Sequence, residues 1–320
     1  MSNYIISTRR IERGEFISEP GGSTFLRFPK NKKSFSPKDK INKGVWFKEV
    51  RAQSSPNVNP VTGKSCGDIL VFVHGYNTSI DDLVTRHNLI REGLEAEGFQ
   101  GIVVSFDWPS GSSALNYLED REDAKLTAFR LVKDCIEHLA SNQKFDCEIN
   151  VHVLAHSAGA YVVREAFDDA DDRPPIAEQN WTVSQVLFVA ADVSSISLAT
   201  NNPKSSSLFR HSIRLTNYSN PYDRVLKLSN AKRIGVSPRA GRVGLPKEPH
   251  PKSINVNCGH YYNQNKEILG EKVDGAVSHS WYFYDSTFIK DIYLTMSGDI
   301  DRNMIPTRAY DEENVLSLVE

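Results

Sequence analysis

The chain has 320 residues, 39% of them hydrophobic and 24% charged, with 38 Lys and Arg against 40 Asp and Glu. That balance is ordinary for a folded globular chain and too apolar for intrinsic disorder. No run reaches the roughly 18–20 apolar residues of a membrane helix, and four scattered cysteines without a CxxC pair argue against a disulfide scaffold or a cysteine zinc site.

The net charge of −2 hides an asymmetry, because residues 1–64 carry 13 Lys and Arg against 5 Asp and Glu. A basic arm of this kind contacts nucleic acid or acidic lipid in some proteins; the simpler expectation is a solvated extension packed against an acidic body. Its first residues, MSNYIISTRR, place the apolar run before the charges, the wrong order for a secretory signal, so a reducing cytoplasm is expected. Within the arm, Tyr4–Thr8 and Thr24–Phe28 read as strands, Gly21-Gly22 as a turn between them, and 44–52 as a short helix.

From residue 66 the texture changes. Ile69–Val73 is a continuous apolar run of the kind shown by a buried parallel strand. Ser79 then stands as a helix N-cap, with Asp81 and Asp82 in the first turn and Ile80, Leu83, Val84, Ile90 and Leu94 at helical spacing. Further along, Gly101–Phe106 reads as a strand, 115–140 as a helix broken near Arg121, Ile149–Ala155 as a strand and Ala158–Phe167 as a helix. Strands follow at Val183–Ala190, Ser212–Tyr218 and Ser253–Asn257. A short helix is expected at Tyr222–Asn230 and a closing helix at Asp285–Met296. Alternating strands and helices predict an α/β fold, a mainly parallel sheet with helices on both faces. Ligands of such sheets sit at the carboxyl ends of the strands.

Three segments at such ends carry chemistry. In Val153-Leu-Ala-His-Ser157-Ala-Gly159 a strand passes into a helix within a few residues, with Ser157 at the junction. This is a nucleophile elbow with alanine for its first glycine. The sharp turn lifts the serine hydroxyl above the sheet and leaves helix N–H groups free for an oxyanion. The alternative is a serine that merely caps a helix. Val73-His74-Gly75-Tyr76-Asn77 follows the first buried strand and supplies the second donor such a site needs, the Tyr76 N–H, with the Ala158 N–H as its partner. His74, beside that turn, is expected to brace the loop rather than to act as a base.

The order serine, acid, histidine then directs attention downstream. His279, just before the closing helix, is preferred as base over His260, which follows the last strand; the other late histidines, His211 and His250, are expected at the surface. Asp223, in the turn Ser219-Asn-Pro-Tyr-Asp223, is preferred as acid over Asp192 and over a plain helix-capping role. Three further features have bland alternatives. Tyr117, Asp120 and Arg121 form either a wall of the site or an ordinary salt-bridged helix start. Residues 224–252, with eight Lys and Arg against one Glu, form either an anion-attracting rim or a solvated loop. Residues 194–210 form either a lid or a surface connection. No phosphate-binding loop and no HExxH are present.

These residues together resemble the alpha/beta-hydrolase fold. More narrowly they resemble a poorly characterised bacterial branch of it, once catalogued as domain of unknown function 900. The resemblance rests on VFVHGYNTS, SFDWPSGSSALNYLEDREDA, HVLAHSAGAYVV, FVAADV, SNPYDRVL and SHSWYF, and spans roughly residues 66–300. The elbow carries an alanine where that branch more often has methionine. Carried over by position, the resemblance implies Ser157 as nucleophile, Asp223 as acid and His279 as base.

The expectation is a basic extension over 1–64 packed on a catalytic domain over 65–320. The chemistry expected is cleavage of a carboxylic ester through an acyl-enzyme, by a Ser157–His279–Asp223 triad with Tyr76 and Ala158 as oxyanion donors. Thioesters and amides are open to the same machinery, and a hydrolase-like binding module is the alternative of another class. A small ester or acyl substrate is implied, with no cofactor, no metal, no nucleic acid and no membrane span.

Overall fold

The computed structural model describes residues 2–55, 57–59, 61–110, 125–140, 147–178, 181–231, 237–273 and 276–320. Its strands are β1 Ser2–Glu12, β2 Glu15–Pro29, β3 Asn57–Val58, β4 Ser65–Val73, β5 Ile102–Asp107, β6 Cys147–His156, β7 Val183–Val189, β8 Ser212–Ser219, β9 Ser253–Asn257, β10 Arg308–Tyr310 and β11 Leu316–Leu318. They join in one sheet of order β10-β11-β9-β8-β7-β6-β4-β5-β1-β2, with β3 paired to β4. From β1 through β5, β4, β6, β7, β8 and β9 to β11 every pairing is parallel; the antiparallel pairs are β1 with β2, β10 with β11 and β3 with β4.

The longer helices are α1 Lys43–Ser54, α2 Ile80–Ala96, α3 Gly159–Asp171, α4 Arg224–Ala231, α5 Gly259–Lys272 and α6 Ser286–Ser297. A further helix over 125–140 contains a π turn at Val132–Ile136. The apolar run at Ile69–Val73 works on both faces because successive side chains of a strand point opposite ways. Ile69, Val71 and Val73 pack with Trp46 of α1, with the 125–140 helix and with α3. Leu70 and Phe72 pack with residues of α2, α5 and α6. Both faces are thus covered, which is why these strands read as unbroken apolar runs rather than as alternating ones.

The chain runs from β4 to β5 on one side and then returns to β6 on the other. That reversal opens a crevice at the carboxyl ends of β4 and β6. The loops that carry Gly75 and Ser157 both lie there.

The N-terminal residues are part of this sheet. β1 lies parallel to β5, with Tyr4 opposite Val104 and Ser7 opposite Asp107. The hairpin turn falls at Arg13-Gly14, not at Gly21-Gly22 as expected. Both turn residues have positive φ, 51° and 83°, the backbone twist that a two-residue hairpin requires. Gly21-Gly22 instead lies within β2, beside a register shift between Ser7 and Arg10. The arm's charges are partly matched: Lys30 pairs with Glu95, Lys43 with Asp134 and Arg9 with Asp107. No helix among the described residues is long and apolar enough to cross a membrane.

Candidate active site

Ser157 sits between β6 and α3 with φ of 54°, a left-handed conformation that costs a non-glycine residue about 1–3 kcal/mol unless its surroundings enforce it. They do so here. The Ser157 N–H donates to the Val189 carbonyl at 3.0 Å, and the Ser157 carbonyl accepts from the N–H groups of Asp192 at 2.9 Å and Ala160 at 3.1 Å. The elbow is thereby bonded to the end of the neighbouring strand β7 as well as to its own helix.

Small residues are required around it. A Cβ on Gly75 would lie 2.9 Å from Ser157 Cβ, and one on Gly159 would lie 2.4 Å from the Val73 carbonyl oxygen. The turn after β4 therefore lies directly against the serine. No side chain caps α3 at Ala158, and within its first turn the Ala160 N–H is taken by the Ser157 carbonyl.

His279 and Asp223 come together although 56 residues separate them. The Nδ1–H of His279 donates to Asp223 Oδ2 at 2.6 Å, and both side chains are buried. The His279 ring packs 4.7 Å from the ring of His156, the residue before Ser157. His156 Nε2–H donates to the His279 carbonyl at 2.8 Å. Burial, and then the neighbouring His279, hold the His156 imidazole well below its ordinary pKa, so it stays neutral. The preceding residue is clamped too: Asn220 Nδ2 donates to the Ser278 carbonyl at 3.1 Å, and the Arg224 N–H to Ser278 Oγ at 3.2 Å. Among the described residues no hydrogen bond joins Ser157 Oγ to His279; the elbow and His279 meet through His156. His156, Asn220 and Ser278 were not singled out by sequence reasoning. Their signal was position alone, inside the elbow, the SNPYD turn and the SHSWYF segment.

The rival residues have other occupations. Asp192 Oδ1 lies 2.9 Å from Nε of Arg239, and both side chains are buried; its N–H is one of the two that hold the Ser157 carbonyl. His260 is exposed on the first turn of α5. His211 is buried rather than on the surface, stacked on Trp181 at 3.9 Å and bonded to Asp171 at 2.7 Å. Within 224–252, Arg239 turns inward to Asp192, and Lys252 donates to the carbonyl of Ser212 at 2.8 Å. Residues 194–210 form turns at Ser195–Leu198 and Pro203–Ser205 and a short helix at Ser206–Arg210. Arg164 of α3 reaches this segment at Ser197. Tyr117, Asp120 and Arg121 lie outside the described residues.

His74 is buried behind the Gly75 turn. Burial lowers its pKa despite the nearby Asp107. The neutral ring donates Nδ1–H to the Gly75 carbonyl at 2.7 Å and accepts the Trp108 N–H on Nε2 at 3.2 Å. Nε2 also lies 3.2 Å from Asp107 Oδ1, a carboxylate already matched by Arg9. Burial alone would raise the Asp107 pKa; Arg9, His74 and Ser7 together outweigh it and hold the carboxyl below its ordinary value.

Compared with known families, residues 51–258 match the model of an alpha/beta hydrolase of unknown function (DUF900). The chain belongs to this alpha/beta hydrolase family. Asp223 lies inside the matched span, while His279 and the N-terminal hairpin lie outside it. Among solved structures, the hydrolase is similar to esterase B from Lactobacillus rhamnosis, at 10% identity and a TM-score of 0.41 over 91% of this chain and 90% of that one. It is also similar to olei00960, a hydrolase from Oleispira antarctica, at 14% identity and a TM-score of 0.37 over 79% of this chain and 98% of that one. A Trichoderma reesei cutinase matches at 11% identity and a TM-score of 0.31 over 76% of this chain and 78% of that one. No curated protein matches.

Proposed function

We propose that this alpha/beta hydrolase cleaves a carboxylic ester of a small molecule through an acyl-enzyme on Ser157. The observation that carries the reading is the buried His279–Asp223 hydrogen bond at 2.6 Å, packed against the elbow that holds Ser157 at φ 54°.

In this reading Asp223 fixes the imidazole with its proton on Nδ1, so that Nε2 is free to act as a base. Ser157 Oγ attacks the ester carbonyl and passes its proton to His279 Nε2. The resulting oxyanion accepts hydrogen bonds from the N–H groups of Tyr76 and Ala158. Removing one such donor in other acyl-transfer enzymes costs about 100- to 1,000-fold in rate. His279 then returns the proton to the leaving alcohol. Water attacks the acyl-enzyme by the same route in reverse, releasing the acid and restoring the serine. Thioesters and amides pass through equivalent intermediates, so the leaving group is a matter for assay. The free thiols Cys66, Cys135 and Cys258 fit a reducing, cytoplasmic setting.

The test is a panel of 4-nitrophenyl esters, thioesters and anilides, run with the purified protein and with Ser157→Ala. Ester turnover that disappears in the variant supports the reading. An inactive wild-type protein across the panel, or turnover that survives in the variant, contradicts it.

A further inference from the structure

We propose that Arg9, in the N-terminal hairpin and outside the family-matched span, is a positioning residue that sets the orientation of the Gly75–Tyr76 peptide and so aims the Tyr76 N–H at the oxyanion. This rests on the ester-hydrolase reading above. A peptide unit is planar and trans, so its C=O and N–H point in opposite directions. Whatever pins the Gly75 carbonyl therefore aims the Tyr76 N–H.

Two donors pin that carbonyl. His74 Nδ1–H reaches it at 2.7 Å and the Thr78 hydroxyl at 3.1 Å. Arg9 holds the Thr78 backbone directly and neutralises the carboxylate that lies beside His74. Its Nη2 donates to the Thr78 carbonyl at 3.0 Å. Its Nε lies 3.0 Å from both oxygens of Asp107, and Asp107 Oδ1 lies 3.2 Å from His74 Nε2. Ser7, two residues earlier on β1, adds its hydroxyl to Asp107 Oδ2 at 2.6 Å. The Asp107 carboxylate lies at the end of β5, directly beside β1, and the edge strand brings the Arg9 guanidinium to it. Arg9 is buried, while its neighbour Arg10 is exposed and pairs with Glu19. Arg9 turns toward the loops above the sheet, where it reaches Thr78.

Losing the arginine alone would strand a buried carboxylate. The test therefore uses Arg9→Met/Asp107→Leu, which removes both charges, alongside Arg9→Lys. The substrates are 4-nitrophenyl acetate and its thiono analogue, whose developing sulfur anion is a poor hydrogen-bond acceptor and gains little from an oxyanion hole. The expected result for the paired variant is kcat on 4-nitrophenyl acetate lowered about tenfold or more, with KM within about threefold of wild type. Its oxo-to-thiono rate ratio falls by a similar factor, and Arg9→Lys, which can reach Asp107 but not Thr78 as well, is intermediate.

A folded paired variant with the wild-type kcat and the wild-type ratio overturns the proposal. If that variant does not fold, an unchanged ratio in both Arg9→Lys and Ser7→Ala overturns it. Turnover that survives Ser157→Ala overturns the serine reading and this proposal together, whereas serine-dependent turnover with an unaltered ratio overturns this proposal alone.

Discussion

Asp223 divides its two carboxylate oxygens between fold and site. Oδ2 accepts the Nδ1–H of His279 at 2.6 Å, while Oδ1 accepts the N–H of Leu226 at 2.9 Å and so caps α4. The helix cap and the contact with the imidazole, alternatives in the sequence, coexist on one side chain. The cap fixes the carboxylate in the orientation that the imidazole needs.

Asp223→Asn separates the two roles. Asparagine still caps a helix well, but its amide offers a donor as readily as an acceptor to His279 Nδ1 and favours the wrong tautomer. The corresponding change in a serine protease lowers kcat about 10⁴-fold. A loss of that order is expected here with little change in melting temperature, measured on 4-nitrophenyl acetate and by circular dichroism. An asparagine variant within tenfold of wild-type kcat contradicts the role.

Gly159→Ala tests the close approach of the elbow to β4. The added Cβ would lie 2.4 Å from the Val73 carbonyl oxygen and 2.6 Å from that of His74. Both are backbone atoms that cannot swing aside. Overpacking of this kind costs about 1–3 kcal/mol, and the shift falls on the loop that carries Tyr76. A lowered urea midpoint together with reduced kcat is expected; a wild-type midpoint would show that the backbones part without cost.

Acid stability follows from the buried histidines. His87 on α2 is fully buried; its Nδ1 lies 2.8 Å from Ser105 Oγ, and its Nε2 has no hydrogen-bond partner. Burial first, then the positive charges of Arg91 and Lys30, push its pKa down to about 3, against roughly 6.5 in an unfolded chain. The folded state thus resists protonation that the unfolded state accepts. The contribution is fully present above about pH 6.5 and is lost as pH falls toward 3, at up to about 1.4 kcal/mol per pH unit. His156 acts in the same direction. Urea unfolding at pH 7 and pH 4.5, for wild type and His87→Gln, isolates the effect: the fall in stability should be smaller in the variant. Equal falls contradict this account.

At the far edge of the sheet, Arg308 of β10 meets Asp291 of α6 in a buried pair. Arg308 Nη2 lies 2.6 Å from Asp291 Oδ1 and Nε 2.8 Å from Oδ2, and the hydroxyls of Tyr218 and Thr307 also donate to that carboxylate. Arg308→Met leaves Asp291 buried and unmatched, a change that costs about 3–5 kcal/mol. Arg308→Met/Asp291→Leu should recover most of that loss. Denaturant midpoints of the two variants provide the comparison, and equal midpoints contradict it.

The core strands and the helix over Ile80–Ala96 were legible in the sequence because period and capping agree there. Ser79 and Asp82 do form a reciprocal cap. The apolar runs in β4, β5 and β7 announced themselves because they are buried on both faces. The C-terminal hairpin Arg308–Tyr310 and Leu316–Leu318 was not legible, since three-residue strands carry no measurable period. Nor was α5, whose apolar residues are few. The place of the N-terminal hairpin in the sheet was hidden by composition: the basic residues on its exposed side suggested a separate arm. Ser157, Asp223 and His279 stand out in the sequence as candidates because each lies at a strand end or shortly before a helix. Their supports, His156 against His279 and Arg9 against Asp107, join residues about 100 positions apart or more, and only the folded sheet brings them together.

The central claim is that Ser157 is the nucleophile, activated by His279. Its most direct test is labelling of the purified wild-type protein with a fluorophosphonate, followed by peptide mass mapping. One phosphonyl group is expected, on Ser157, with no labelling of Ser157→Ala and strongly slowed labelling of His279→Ala. A phosphonyl group on another serine, or full labelling of Ser157→Ala, would contradict it.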